Sequence, residues 1–327
     1  MQHGRVRYGA IRLGLACGPS LALVIAGCRA HGPTTAIAVS VRPWSEAGLV
    51  GRKLTTQHFE IVSTLDDAEL ETALPAFLER MYSRYDGLLP TPDGTKDKLI
   101  VHVFTSRGQW HRFMQTDAAA RSEVSCHIRP GGFTQGASSA CFHVDRSTTL
   151  TTLAHQGWHQ YAASRFRSQL PPWLNEGLAC YLEAVDHSGA DPAFAPQYNT
   201  LRINGLREAI QSDALLSLQE IVNTSVEEVI SKDNSRIAQT YHAQVWALIT
   251  FLRHGAGGRY VDSLRSLLRD VADGSYQARV GAARLSASTP SSISDAEATF
   301  HFYFAAEPAA LADAYYDHMV RIARFER

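Results

Sequence analysis

The chain has 327 residues, a formal net charge of −1, 45% hydrophobic residues and 19% charged residues. This composition provides a folded core and argues against wholesale disorder. The near-neutral charge, with no lysine or arginine cluster beyond the N-terminus, argues against a nucleic-acid partner. No segment after residue 27 is apolar over the roughly 18 residues that a membrane span requires.

The first 27 residues are predicted to be a cleaved targeting segment rather than part of the fold. Three arginines precede a short apolar run from Leu13 to Ala26. The run ends in I-A-G-C at 25–28, which resembles the lipobox of bacterial lipoproteins. The resemblance implies cleavage before Cys28, lipidation of that cysteine and a lipid anchor on the periplasmic face of a bacterial membrane. An ordinary signal peptide followed by a chance cysteine is the alternative.

Residues 28–50 contain small and turn-forming residues without periodicity and are predicted to form a flexible tether. Residues 51–327 are predicted to form one domain with three parts. A sheet-rich half covers 51–147, the helices of a candidate metal site cover 148–254, and a helical C-terminal part covers 255–327.

The sheet-rich half is predicted to alternate strands with helices. Residues 58–64 alternate as a strand does, and Asp66 or Asp67 then caps an amphipathic helix. The apolar run at 98–105 predicts a strand in a central position of the sheet. Ser106 and Gln109 have the spacing of a capping box that opens the next helix.

Residues 124–145 are predicted to form a hairpin that turns at 129–132, because Pro130 followed by Gly131 suits the centre of a type II turn. Small residues make this region a candidate edge strand, which can bind an extended peptide by strand addition. A plain structural hairpin is the alternative. In an oxidising compartment Cys126 and Cys141, which flank the turn, can form a disulfide.

Two histidines four residues apart, His155 and His159, lie in a run with helical periodicity. Residues at this spacing share one helix face, so both imidazoles can reach one ion. Glu176 lies one turn into a second predicted helix, which Pro172 is well placed to begin. A carboxylate in so apolar a helix needs a partner, and a zinc ion is one candidate. The alternative is that the two histidines are ordinary core residues.

Beyond Glu183 the chain is predicted to be mainly helical. A helix is predicted at about 237–254, and because its stretch from Tyr241 to His254 is apolar on nearly every face, it should be a buried central helix. Other helices are predicted at about 199–213, 218–230, 259–273 and 307–325.

The strings L-A-H-Q-G-W-H-Q-Y and P-P-W-L-N-E-G-L-A-C-Y-L-E resemble the gluzincin zinc metallopeptidases, in particular the bacterial peptidase-MA-like proteins. The resemblance implies an α+β, thermolysin-like fold, with a small mixed sheet and an edge hairpin packed on the active-site helix. It also implies that His155, His159 and Glu176 hold zinc. Tyr241 falls where relatives carry an electrophilic tyrosine.

The chain departs from the family pattern at Gln156, where relatives carry the glutamate that takes a proton from the zinc-bound water. Glutamine has nearly the same shape but cannot accept that proton at neutral pH. Glu183 lies two turns beyond Glu176 and is expected to support a ligand rather than to replace the base. Tyr241 and His242 are candidates to polarise a carbonyl; the alternative for both is a buried residue with a satisfied polar tip.

Three hypotheses follow. The first is a lipid-tethered, zinc-peptidase-like protein with impaired or lost hydrolysis, which binds a peptide or protein segment across its cleft. The second is an active metallohydrolase in which another residue or the metal hydroxide transfers the proton. The third is a metal-free scaffold or interaction protein. The sequence determines neither the substrate nor the oligomeric state.

Overall fold

A computed structural model describes residues 37–88, 97–116, 131–186, 193–224, 235–286 and 293–324. By internal contacts the chain divides into Met1–Ala36 and Ile37–Arg327. The first part, which contains the predicted targeting segment and Cys28, lies outside the described residues. The second part is a mixed α+β fold in which helices predominate.

The larger sheet has six strands in the order β1-β2-β3-β4-β6-β5. The pairs β3–β4 and β4–β6 are parallel, and the other three pairs are antiparallel. A two-stranded antiparallel sheet joins β7 and β8. The strands are β1 (Ser40–Glu46), β2 (Leu49–Thr55), β3 (Phe59–Ser63), β4 (Leu99–Phe104), β5 (Gly132–Gln135), β6 (Ser138–Phe142), β7 (Val185–Asp186) and β8 (Ala193–Phe194).

Eleven α-helices lie in the described ranges, and two short 3-10 turns follow β8 and α7. The helices are α1 (Ala68–Leu88), α2 (Arg107–Thr116), α3 (Arg146–Arg165), α4 (Pro172–Leu182), α5 (Thr200–Gln211), α6 (Leu218–Asn223), α7 (Ser235–His254), α8 (Val261–Asp273), α9 (Tyr276–Ser286), α10 (Asp295–Phe304) and α11 (Pro308–Ala323). No helix among the described residues is both long enough and apolar enough to cross a bilayer.

The first two strands correct the predicted tether, because residues 40–50 are part of the sheet. β1 and β2 form a hairpin whose two turn residues, Ala47 and Gly48, have φ values of 53° and 70°. These left-handed values suit a two-residue hairpin turn. Nearly every residue of β1 is exposed. The strand therefore lacks the hydrophobic periodicity that distinguishes a buried strand from a linker.

β4 lies between β3 and β6, in the central position that its apolar run predicts. Because successive side chains of a strand point to opposite faces, β4 contributes to two cores. Leu99, Val101 and Val103 join the main core with α1 and α3. On the other face Phe104 shares a smaller core with Trp110 of α2.

The hairpin β5–β6 turns at Gly136 and Ala137 rather than at the predicted 129–132, of which residues 129 and 130 lie outside the described residues. Gly132 is instead the first residue of β5. A Cβ atom there would lie 2.9 Å from Cγ of Gln156, so glycine permits β5 to approach α3 closely. β5 lies at the edge of the sheet, as predicted.

The predicted disulfide between Cys126 and Cys141 stays a prediction. Cys141 of β6 is a buried free thiol, and burial raises its pKa to about 12. Its predicted partner, Cys126, lies outside the described residues.

The helical part contains α5, α6, α7, α8 and α11 where helices are predicted, with α6 ending at Asn223. The prediction that α7 is a buried central helix is confirmed, since its core side chains are essentially inaccessible to solvent. The helices α9 and α10 were not predicted. A capping box of Ser294 and Glu297 opens α10 and was a missed sequence signal.

Candidate metal centre

The helix that carries both histidines, α3, has a well-defined start and lies unusually close to α1. Asp145 accepts a hydrogen bond from the backbone N–H of Thr148 at 2.8 Å and so caps the helix. Tyr85 of α1 donates to the carbonyl oxygen of Ala154 at 2.7 Å. A Cβ atom on Gly157 would lie 2.6 Å from the Tyr85 hydroxyl oxygen. Glycine at this position therefore permits α1 to contact the backbone of α3 between the two histidines.

The helix that carries Glu176, α4, packs closely on α7. It begins at Pro172, as predicted. A Cβ atom on Gly177 would lie 2.7 Å from Cγ1 of Ile249 and 2.8 Å from the carbonyl oxygen of Val245. The two helices are therefore closer than a larger residue would allow, and this contact sets the position of the adjacent Glu176.

The structure brings His155, His159 and Glu176 together. Nε2 of His155 lies 3.4 Å from Oε2 of Glu176, and Nε2 of His159 lies 3.4 Å from Oε1. One ligand atom from each of the three side chains lies within 4.8 Å of the other two. Atoms bound at about 2.0–2.1 Å to a tetrahedral zinc ion lie about 3.3–3.4 Å apart, so the two contacts match the spacing of a zinc site.

Hydrogen bonds at the other ring nitrogen determine the tautomer of both histidines. Nδ1 of His155 lies 2.7 Å from Oε2 of Glu183, and Nδ1 of His159 lies 3.2 Å from Oδ1 of Asn175. Asn175 Oδ1 also accepts from the indole N–H of Trp158 at 3.0 Å, so this atom is an acceptor. Each Nδ1 must therefore carry the hydrogen, and in the neutral rings each Nε2 lone pair faces Glu176.

This arrangement places acceptor atoms against a carboxylate, which is unfavourable unless a cation lies between them. Burial opposes charge on Glu176, but His159, His155 and His242 outweigh it and hold the pKa of Glu176 well below its usual range. Burial lowers the pKa of His159. For His155 the effect of burial is outweighed by Cys180, Glu176 and Glu183, which raise its pKa well above the usual range. One proton on His155 cannot satisfy the lone pair of His159, whereas one metal ion can satisfy all three groups.

Glu183 lies behind His155 and is saturated by donors. It accepts two hydrogen bonds from Arg202, at 2.6 and 3.0 Å, and one from Nδ2 of Asn199 at 3.0 Å. Burial alone would raise the pKa of Glu183, but Arg202 and His155 lower it to about 2. Glu183 is therefore a charged side chain that orients His155 and is poorly suited to accept a proton.

A second group of potential ligands, His155, Cys180 and Glu183, also lies within 4.8 Å. It is a poor metal site, because the guanidinium of Arg202 already bonds to both carboxylate oxygens of Glu183. Burial also raises the pKa of Cys180, and a metal requires the thiolate. The His155, His159 and Glu176 group is therefore the better candidate.

Gln156 is half-buried and points towards the edge strand β5. The hydroxyl of Thr134 lies 2.5 Å from Oε1 of Gln156. This distance suits an O–H···O hydrogen bond and is too short for an ordinary N–H···O bond. Oε1 is therefore the acceptor, and the amide N–H groups make no hydrogen bond with the residues that the structure describes.

The residue of α7 that contacts the candidate ligands is His242 rather than Tyr241. Nε2 of His242 lies 3.4 Å from Oε2 of Glu176, while its Nδ1 donates to the carbonyl oxygen of Ala238 at 2.7 Å. With its hydrogen on Nδ1, the neutral form of His242 would direct the Nε2 lone pair at Glu176, and its role in polarising a carbonyl stays a prediction. Tyr241 is fully buried, with its hydroxyl 3.5 Å from the carbonyl oxygen of Thr224, and its catalytic role stays a prediction.

Sequence reasoning missed four side chains that complete the centre: Asn175, Asn199, Arg202 and Thr134. Asn175 lies directly before Glu176 in the sequence, which was an available signal. The others are between 16 and 22 residues from the side chains they contact. No local pattern indicates such contacts.

A family model described as a protein of unknown function (DUF1570) matches residues 149–271. The match runs from α3 to α8 and includes the three candidate ligands, Gln156 and His242. A comparison with curated proteins found no match. The description of the matching family names no reaction.

Proposed function

We propose that the protein is a zinc-peptidase-like binding protein that holds the ion with His155, His159 and Glu176 and hydrolyses peptides poorly or not at all. One observation carries the metal assignment. Two imidazole Nε2 atoms each lie 3.4 Å from the Glu176 carboxylate, and because each Nδ1 donates its hydrogen elsewhere, each neutral ring directs its Nε2 lone pair at that carboxylate. The thermolysin-like fold is part of the same proposal and is supported by the sequence resemblance.

The proposal of impaired hydrolysis rests on the residues around the missing base. Gln156 cannot accept a proton, and positioned acid–base groups contribute about 10²–10⁴-fold to a reaction rate. Glu183, the other carboxylate that contacts His155, is neutralised by Arg202. A bound zinc ion would still lower the pKa of its water towards about 7, so slow residual hydrolysis is compatible with the proposal.

The proposed ligand is a peptide or protein segment that lies along β5. This strand is at the edge of the sheet, and Thr134 on it contacts Gln156, the residue after His155 on α3. An exposed strand edge can bind an extended segment through backbone hydrogen bonds. We also propose that lipidation of Cys28 anchors the protein to a membrane, on the sequence evidence alone.

Metal analysis of the purified protein tests the assignment of a zinc site. We expect about one equivalent of zinc in the wild-type protein and much less in His155→Ala, because the variant removes one of three ligands. His301→Ala is a matched control that removes an exposed histidine of α10 outside the centre and should retain the ion. Equal zinc in wild type and His155→Ala would remove the metal proposal and leave the scaffold hypothesis.

Restoring a glutamate at position 156 tests the proposal that hydrolysis is impaired. In zinc-loaded Gln156→Glu we expect hydrolysis of a mixed peptide library to rise by about 10²–10⁴-fold over wild type. Product formation is measured by mass spectrometry, with zinc content measured in both proteins. If the wild-type protein already cleaves as fast as Gln156→Glu, impaired hydrolysis is the wrong conclusion.

One observation favours the second candidate, an active hydrolase. The Nε2 lone pair of His242 faces Glu176 and could accept the proton that Gln156 cannot. In that case wild-type hydrolysis would be fast and His242→Gln would lose most of it at unchanged zinc content. If hydrolysis is impaired, the wild-type rate is already close to background, and His242→Gln should lower it little.

A further inference from the structure

We propose that the centre recognises a monoanionic carboxylate, which would take one coordination position on the metal and accept a hydrogen bond from the amide of Gln156. This inference rests on the proposed metal site and specifies the chemistry of its ligand. The hydrogen bond between Thr134 of β5 and Gln156 of α3 is the observation that supports it.

The first step is the orientation of the Gln156 amide. Thr134 has one hydroxyl hydrogen, and the 2.5 Å contact directs it to Oε1. The oxygen of the amide is therefore occupied by β5. Its two N–H groups are the part left to meet a ligand. The gluzincin pattern has a glutamate at this position, which accepts a proton from the metal-bound water. Gln156 instead presents an N–H donor.

The second step is the charge of the site. Glu183 and Arg202 neutralise each other in a close ion pair. The candidate ligands contribute one negative charge, that of Glu176, because the two imidazoles bind a metal in their neutral form. A bound divalent ion would leave a net charge of +1, which a single carboxylate neutralises. A dianion such as phosphate would leave an excess negative charge in a partly buried site.

The third step is the position of the donor. Gln156 follows His155 on α3 and contacts the edge strand β5 through Thr134. A segment that adds to the edge of β5 passes beside this amide. Its carboxylate can be a C-terminus or an aspartate or glutamate side chain. Both offer the same chemistry, an anionic oxygen that accepts a charge-assisted hydrogen bond.

Titration calorimetry of the zinc-loaded full chain tests the inference with three peptides of equal length. One is an acetylated oligoalanine with a free C-terminal carboxylate, the second is its C-terminal amide, and the third is the amide with one internal glutamate. We expect the amide without glutamate to bind at least about tenfold more weakly than the free acid, the equivalent of one charge-assisted hydrogen bond. Whether the third peptide binds like the first identifies the source of the carboxylate.

Variants at the contact assign the effect to the amide. Gln156→Glu should lose about tenfold or more in affinity for the free acid, because two carboxylates would then face each other. Gln277→Glu is the matched control, since it makes the same substitution at an exposed position of α9, outside the candidate metal centre and β5. It should change the affinity by less than about threefold. Thr134→Val frees the amide to turn its oxygen towards the ligand and should reduce the preference for the free acid.

Equal binding of all three peptides to zinc-loaded wild type would overturn the inference, as would undiminished binding of the free acid to zinc-loaded Gln156→Glu. Zinc content is measured in every variant. A wild-type protein without zinc refutes the proposed function itself, whereas a zinc-loaded protein without a carboxylate preference refutes only this inference.

Discussion

At the residue scale, each of three histidines is oriented by a hydrogen bond from its Nδ1, and the acceptor differs in each case. The Nδ1–H of His155 donates to a carboxylate, that of His159 to a side-chain amide, and that of His242 to a backbone carbonyl. In each ring this leaves Nε2 directed at Glu176. Because the acceptor determines the tautomer, the residues around the histidines matter to metal binding as well as the histidines themselves.

A fourth histidine, His318 of α11, gives a prediction on pH and stability that is independent of the metal. Its Nε2 lies 3.0 Å from Oγ1 of Thr250, which donates its own hydrogen to the carbonyl oxygen of Ala247 at 2.8 Å. Nε2 is therefore the donor. Nδ1 is buried and makes no hydrogen bond within the described ranges. Burial, with help from Arg321 and His254, lowers the pKa of His318 to about 4.

Below pH 6.5 an unfolded chain protonates this histidine and the folded chain does not, so the free energy of unfolding should fall between pH 6.5 and about 4. The loss is at most about 3 kcal/mol and is absent above pH 6.5. His318→Gln retains a donor for Thr250 but cannot titrate. Urea unfolding of metal-free protein at pH 7.5 and 4.5 should show a smaller loss in the variant. An equal loss in both proteins would contradict the assignment.

At the element scale, the metal centre depends on how closely three helices pack. α3 supplies two ligands, α4 supplies the third, and α7 supports α4 and contributes His242. Glycines at two of the helix contacts, Gly157 and Gly177, permit distances that any side chain would increase. The spacing of ligand atoms on different helices is therefore set by backbone contacts that lie beside the ligands.

Gly177→Ala tests this dependence. The added methyl group would lie 2.7 Å from Ile249 and 2.8 Å from a backbone oxygen, so α4 must move away from α7. We expect a loss of about 1–3 kcal/mol in the free energy of unfolding and weaker zinc binding. Both are measured by denaturant unfolding and zinc titration.

Gly281→Ala is the matched control, because Gly281 lies in helix α9 with no atom within 4 Å of an added Cβ. There alanine should stabilise the protein by about 0.5–1 kcal/mol and leave zinc binding unchanged. Zinc affinity that is unaffected by Gly177→Ala would show that the centre tolerates movement of α4.

At the scale of the whole molecule, the residues from Ile37 to Arg327 form one compact unit. The sheet, the candidate ligands and the helices that support them all lie in this unit. The targeting and lipidation signals that the sequence predicts lie entirely before it. Folding and membrane attachment should therefore be separable.

A chain that begins at Ile37 should keep the melting temperature and zinc content of the longer protein and lose its association with bacterial membranes. The physical reason is that the described core and the candidate ligands all lie in the unit that begins at Ile37, whereas Cys28 is the proposed lipidation site. Calorimetry, metal analysis and membrane fractionation measure the three properties. Membrane association that survives in the shorter chain would contradict a lipid anchor at Cys28.

The sequence by itself determined the features that depend on local periodicity. A spacing of four residues places His155 and His159 on one helix face, and an apolar run identifies β4 as central. The same reasoning identifies α7 as a buried helix. These patterns arise because burial of one helix face or one strand constrains residues that are close together in the chain.

Only the tertiary structure decided the features that depend on contacts between distant residues. An exposed strand such as β1 has the composition of a linker, and Gly132 is required by the approach of Gln156 rather than by a turn. Neighbouring helix residues point about 100° apart, and only the fold shows that His242, one residue after Tyr241, lies 3.4 Å from Glu176. Asn199 and Arg202, which donate to Glu183 beside His155, come from the start of a different helix. Contacts between residues so far apart in the chain leave no periodic signal in the sequence.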